Sequence, residues 1–130
     1  MKTPARLIAV AGVLLCAMHA HAQTEAVRFG DEYQTCNTGQ TQSTVECVDK
    51  LIQIWDARLN GAYERALEKL PAVRQEGLRA AQRAWLEYRD TSCRWYASGA
   101  GSIARIEGVE CMRSLTAARA LELQEVIEER

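Results

Sequence analysis

One continuous stretch constrains this chain more than any other: Leu78-Arg79-Ala80-Ala81-Gln82-Arg83-Ala84-Trp85-Leu86-Glu87-Tyr88-Arg89-Asp90-Thr91-Ser92-Cys93. Leu78, Ala81, Trp85 and Tyr88 recur at the i, i+3, i+7, i+10 spacing of one helical face. Arg79 and Arg83 stand four apart on a neighbouring face. The pattern predicts a helix that packs on one side, presents guanidinium groups on another, and ends in a thiol that needs a partner. A small disulfide-pinned helical domain has this shape, and no catalytic motif does.

The N-terminus bears on the compartment. Lys2 and Arg6 form a basic start, and residues 7–18 are apolar, too short to span a bilayer at roughly 20 residues. Ala20-His21-Ala22 offers small residues where a signal peptidase reads. Residues 1–22 are therefore expected to be a cleavable signal, with a single domain over 23–130 that is periplasmic or secreted. A lipoprotein signal built on Cys16 is disfavoured, because Leu15 stands where a small residue is wanted.

Removing the signal changes the chemistry available. Residues 23–130 make 108 residues, enough for one small domain. Without Lys2 and Arg6, 14 basic residues face 17 acidic ones, a formal charge of −3. That balance argues against nucleic acid as the main partner. His19 and His21 leave as well, so the remaining chain lacks the commonest general base and zinc ligand.

Four cysteines remain, Cys36, Cys47, Cys93 and Cys111. An even count in a small exported chain reads as two disulfides. Three pairings are possible. Cys36–Cys47 with Cys93–Cys111 is favoured because each pair brackets one irregular segment, and closing each loop stabilises by about 3 kcal/mol in the chain-entropy picture. The spacing lacks C-x-x-C, so no metal site and no cofactor is expected.

The remaining pattern is helical throughout. Residues 23–42 are polar and read as an irregular arm held by Cys36. Ser43 and Glu46 have the form of a capping box and open a helix expected over 43–70. Its apolar stripe is Leu51, Ile54, Trp55, Leu59, Ala62, Tyr63, Ala66 and Leu70, and Pro71 stops it. A second helix is expected over 73–97 and a third over 107–129, with Met112, Leu115, Leu123, Val126 and Ile127 as its core side. Residues 103–106 read as either a helical turn or an extended bridge. The expectation is an all-α fold: a disulfide-stapled domain of three main helices, the first two forming an antiparallel hairpin.

Two groups of residues are candidates for a role. Asp56, Arg89 and Arg119 suit a polar network between helices, where a half-buried arginine needs its charge satisfied. Ser98, Gly99, Gly101 and Ser102, with Arg105 beside them, would form a loop on a stapled base, a form suited to partner binding. Trp55 and Trp85 are expected in the core. Glu122, Glu125, Glu128 and Glu129 give the last helix an acidic end, opposed to its dipole.

A family resemblance rests on residues spread over 36–123. Asp56 with Leu59-Asn60 and Tyr63, Leu78-Arg79 with Ala81-Gln82-Arg83-Ala84-Trp85, Tyr88-Arg89-Asp90, Cys93, Gly101-Ser102, Cys111, and Thr116 with Arg119 closely resemble the LprI-like lysozyme-inhibitor family. The resemblance implies a small exported helical protein that binds a protein partner, with lysozyme inhibition as the expected activity and no catalytic residues. The family's namesake is a lipoprotein, and Leu15 departs from that feature. Lysozymes of animal hosts are basic, so a mildly acidic chain would be steered toward them. The rival expectation is a periplasmic adaptor or structural protein that binds another envelope protein without inhibiting lysozyme.

Overall fold

The computed structural model describes residues 26–128. The expected signal at 1–22, Cys16 and Glu129 lie outside the described residues. A short helix α1 (Asp31–Gln34) precedes three long ones, α2 (Thr41–Lys69), α3 (Ala72–Ala97) and α4 (Ile103–Glu128). The described residues contain no strand. No helix among them is long and apolar enough to cross a membrane.

Three boundaries differ from the sequence reading. α2 begins at Thr41 behind Gln40, with no side-chain cap. Ser43 and Glu46 therefore lie inside the helix, and Glu46 instead accepts a hydrogen bond from Gln42 Nε2 at 2.5 Å. The arm is not wholly irregular: α1 interrupts it and buries Tyr33. α4 begins one turn early, because 103–106 is helical and continuous with the rest of that helix.

The last helix organises the rest. α2 and α4 run parallel: Arg105 donates to Gln42 near their starts and Lys69 to the Ile127 carbonyl near their ends. α3 runs antiparallel to α4, since Cys93 joins Cys111 while Gln82 meets Arg119. α2 and α3 are thus the antiparallel hairpin, turned at Leu70-Pro71, and α4 packs against both. Lys69 sets a cation on the carboxyl end of α4, which offsets part of the acidic misplacement there.

Contact on several sides explains why α4 shows no clean apolar stripe. Leu123 is buried, but Met112, Leu115, Val126 and Ile127 are only partly so. Small residues take the closest positions: Ala104, Gly108, Ser114, Thr116, Ala117 and Ala120 are all buried. A Cβ at Gly108 would sit 2.7 Å from that of Ala97, so only glycine admits the close approach of α3.

The main core joins Trp55, Leu59 and Ala62 of α2 to Ala117, Ala120 and Leu123 of α4. A second cluster of Tyr33, Cys36 and Val48 anchors the arm. Burying each large side chain here stabilises by about 1.5–3 kcal/mol. α3 contributes much less. Its only fully buried residues are Gln82 and Cys93.

The face that α3 turns inward is not the one expected from Leu78, Ala81, Trp85 and Tyr88. Leu78, Gln82, Trp85, Arg89, Cys93 and Tyr96 point inward, at steps of three and four. Ala81 is exposed and Tyr88 is 58% exposed. Trp85 is half-buried, whereas Trp55 is fully buried. The helix covers one flank of α4 and no more, so its aromatics divide between the interface and solvent.

Candidate protein-binding site

Two disulfides frame the molecule. Cys36 is bonded to Cys47 and Cys93 to Cys111, each with a Cα–Cα distance of 5.4 Å. The first ties the arm to α2 and the second ties α3 to α4. Covalent pairs of this kind fit an oxidising compartment.

The Cys93–Cys111 bond sits just below the turn that reverses the chain between α3 and α4. Ser98, Gly99, Gly101 and Ser102 are all exposed there. Ser98 Oγ donates to the Trp95 carbonyl at 2.7 Å, closing α3. Gly101 takes φ +78°, a left-handed conformation that favours glycine. The segment is a tight reversal held close by Gly108 against Ala97, not an extended loop. Arg105 lies beyond it in the first turn of α4, exposed, with its guanidinium donating to Gln42 Oε1 at 2.8 Å.

A groove runs along each side of the α3–α4 pair. One, of about 670 Å³, lies on the arm side and is lined by Arg28, Tyr88, Trp95, Tyr96, Ser114 and Leu115 among others. Trp95 is 69% exposed and meets Tyr96 edge-on at 4.7 Å. Arg28 stacks on the Tyr96 ring at 3.7 Å, and its Nε is buried without a hydrogen-bond partner. The other groove, of about 610 Å³, lies on the α2 side, lined by Ile52, Arg94, Arg105, Val109 and Met112 with others. Aromatic and arginine side chains of this kind are the residue types that carry binding energy at protein interfaces.

Asp56, Arg89 and Arg119 are brought near one another only in part. Arg89 Nη1 lies 3.9 Å from Asp56 Oδ1, and Arg89 bonds Asp90 at 2.9 Å and Thr116 Oγ1 at 3.3 Å. Arg119 turns to Gln82 Oε1 at 3.0 Å and Glu122 at 2.8 Å. The two guanidiniums share the ring of Trp85, at 5.1 and 6.0 Å. Asp56 thus reaches Arg89, while the carboxylate that meets Arg119 is Glu122, one turn further along its own helix.

The most deeply buried charges are ones that the sequence pattern does not bring forward. Glu110 and Arg113 of α4 are fully buried. They form a two-pronged pair, Nε to Oε2 at 2.7 Å and Nη2 to Oε1 at 2.6 Å. Arg113 also bonds Glu32 of α1 and donates to the Val27 carbonyl at 2.8 Å. Trp55 Nε1 donates to Glu32 at 2.9 Å. Phe29 takes φ +56° and donates its backbone N–H to Glu110 at 2.9 Å, which holds a conformation rare for a side-chain-bearing residue. Burial alone lowers the Arg113 pKa, but the hydrogen bonds and charge of Glu110, then Glu32, outweigh it and the net shift is upward. Tyr33 is raised by burial first and by the Glu110 charge second. The available signal is Val109-Glu110-Cys111-Met112-Arg113, two charges one turn apart around a cysteine that must be internal.

The cluster latches the arm through a Glu110–Arg113 pair that is fully buried, so its role is structural. Among the described residues no group of His, Cys, Asp and Glu is arranged to hold a metal ion. A family model for the lysozyme inhibitor LprI matches residues 34–123. The chain belongs to the LprI lysozyme inhibitor family. The match spans α2, α3, most of α4, both disulfides and the lining of the α2-side groove, so the family's defining segment is the three-helix unit described above. No curated protein and no solved structure matches the chain. Family membership points to a protein partner and to inhibition rather than catalysis.

Proposed function

We propose that this chain is an exported lysozyme-inhibitor-like protein that acts by occluding the lysozyme cleft. Membership of the LprI family is the observation that carries the reading. The contact surface in this proposal is the stapled end: the exposed turn of Ser98, Gly99, Gly101 and Ser102, with Arg105 beside it. Its disulfide base limits the conformational entropy lost on binding. Glycoside hydrolysis uses a pair of carboxyl groups flanking the scissile bond, and an arginine offered from a rigid end is suited to meet them. The −3 charge of residues 23–130 would speed encounter with a basic enzyme.

The test is a cell-wall lysis assay with residues 23–130 and hen or human lysozyme. Dose-dependent loss of lysis is expected, with association slowed by added salt because exposed charges are screened beyond about 8 Å at physiological ionic strength. Arg105→Glu should weaken inhibition about tenfold or more. Full lysis at micromolar protein would reject the reading and favour the adaptor role.

A further inference from the structure

The groove on the α2 side differs from its counterpart in its charges. Its floor is apolar, with Ile52, Val109 and Met112 around the buried Cys93. Three arginines line it, and they are not equivalent. Arg89 is satisfied by Asp90 and Thr116 and is nearly buried. Arg94 and Arg105 are exposed and have no carboxylate within ion-pair distance among the described residues. Arg94 has only Thr91 Oγ1 at 3.4 Å, and Arg105 only Gln42 Oε1 at 2.8 Å. Two carboxylates also line the groove: Asp90 is taken up by Arg89, and Asp49, on the α2 rim, pairs with neither Arg94 nor Arg105.

Arg79 and Arg83, nearer the start of α3, are handled differently: they share Glu76. At the groove the carboxylate one turn from Arg94, Asp90, is turned to Arg89 instead, and Arg105 has no carboxylate one turn away on its helix. Two uncompensated guanidiniums beside an apolar floor, on a chain that is acidic as a whole, are complementary to a carboxylate carried among apolar neighbours.

We propose that this groove docks a segment of a protein partner that presents a Glu or Asp side chain flanked by apolar residues. Arg94 and Arg105 receive the carboxylate, and Ile52, Val109 and Met112 receive the apolar neighbours. Arg89 is held by Asp90 and Thr116 and keeps the α3 wall in place without contacting the partner. The proposal does not depend on the partner being a lysozyme. If it is, the groove widens the contact from the Ser98–Ser102 turn and Arg105 to the α2 side of the stapled end.

The probe is the tripeptide acetyl-Leu-Glu-Phe-amide, with acetyl-Leu-Gln-Phe-amide as its uncharged match, titrated into 15N-labelled residues 23–130. The Glu peptide should shift the amides of Cys93, Ala97, Val109 and Met112 in a saturable way. The Gln peptide should bind at least about fivefold more weakly. Arg94→Glu should abolish the preference, and Arg94→Lys should retain part of it. Because Arg94 is exposed, unchanged spectra elsewhere will certify the fold of both variants. Equal binding of the two peptides, shifts that map to Trp95 and Tyr96 instead, or no saturation would each overturn the proposal. Loss of lysis inhibition without loss of peptide binding would count against the lysozyme reading and leave the groove standing.

Discussion

α2 and α3 pack on the same helix in opposite ways. α2 meets α4 through Trp55, Leu59 and Ala62, all essentially inaccessible, set against Ala117, Ala120 and Leu123. α3 meets it through Gln82, Trp85 and Arg89, with polar bonds to Arg119 and Thr116 and one disulfide. The first interface is a dry core. The second is a half-exposed seam whose cohesion comes from a covalent bond and hydrogen bonds more than from buried area. A seam of that kind leaves aromatic and cationic side chains at the surface, and both grooves lie along it. The stable half of the molecule and the half available to a partner are therefore separated along α4.

The sharpest way to break this contrast is at Arg113. Arg113→Leu would leave Glu110 buried without its counter-charge and would take a donor from Glu32 and from the Val27 carbonyl. A loss of about 3–5 kcal/mol is expected, read as a lower denaturant midpoint in urea unfolding. An equally stable variant would mean that the arm is not latched to the dry side at all.

A second comparison uses the two tryptophans. Trp55→Ala should cost about 3–5 kcal/mol, the range for emptying a core site. Trp85→Ala should cost about 1–2 kcal/mol, because that ring is only half-buried and less apolar area is lost. Equal destabilisation in thermal melts would erase the distinction between core and seam.

The smallest effect is expected at Asp56. Asp56→Asn removes a carboxylate that is 52% exposed and 3.9 Å from Arg89. A change under about 1 kcal/mol is expected, since Asp90 and Thr116 still hold Arg89. A larger loss in the same melts would show that Asp56 joins α2 to the seam more firmly than its distance implies.

The helices are legible in the sequence because their signals are local. Pro71 and the glycines around Ser98 mark the breaks, and the stripe through Trp55, Leu59 and Ala62 points to the core. The start of α2 is displaced by two residues because the capping chemistry of Ser43 competes with helix running on from Thr41. The start of α4 is displaced because nothing local decides between helix and bridge over 103–106. The inward face of α3 is obscured for a different reason. Leu78 and Trp85 fit two stripes equally well, one through Ala81 and Tyr88 and one through Gln82 and Arg89. Hydrophobicity favours the first, while the polar partners waiting on α4 select the second. The Glu110–Arg113 pair is hidden for the same cause: its burial depends on Glu32 and Phe29, roughly eighty residues away in sequence. Of the candidate site, Ser98–Ser102 and Arg105 can be read as exposed connection chemistry, but the grooves beside them arise only from how three helices meet.

The central position of α4 also sets an order of events. Synthesis runs from the N-terminus, so the helix on which α2 and α3 both rest is made after both of them. The Cys36–Cys47 bond spans only eleven residues and needs nothing from α4. The dry core, the Glu110–Arg113 latch and the Cys93–Cys111 bond must all await α4. A polypeptide built this way lacks its main core until α4 joins α2, which keeps the earlier helices loosely packed up to that point.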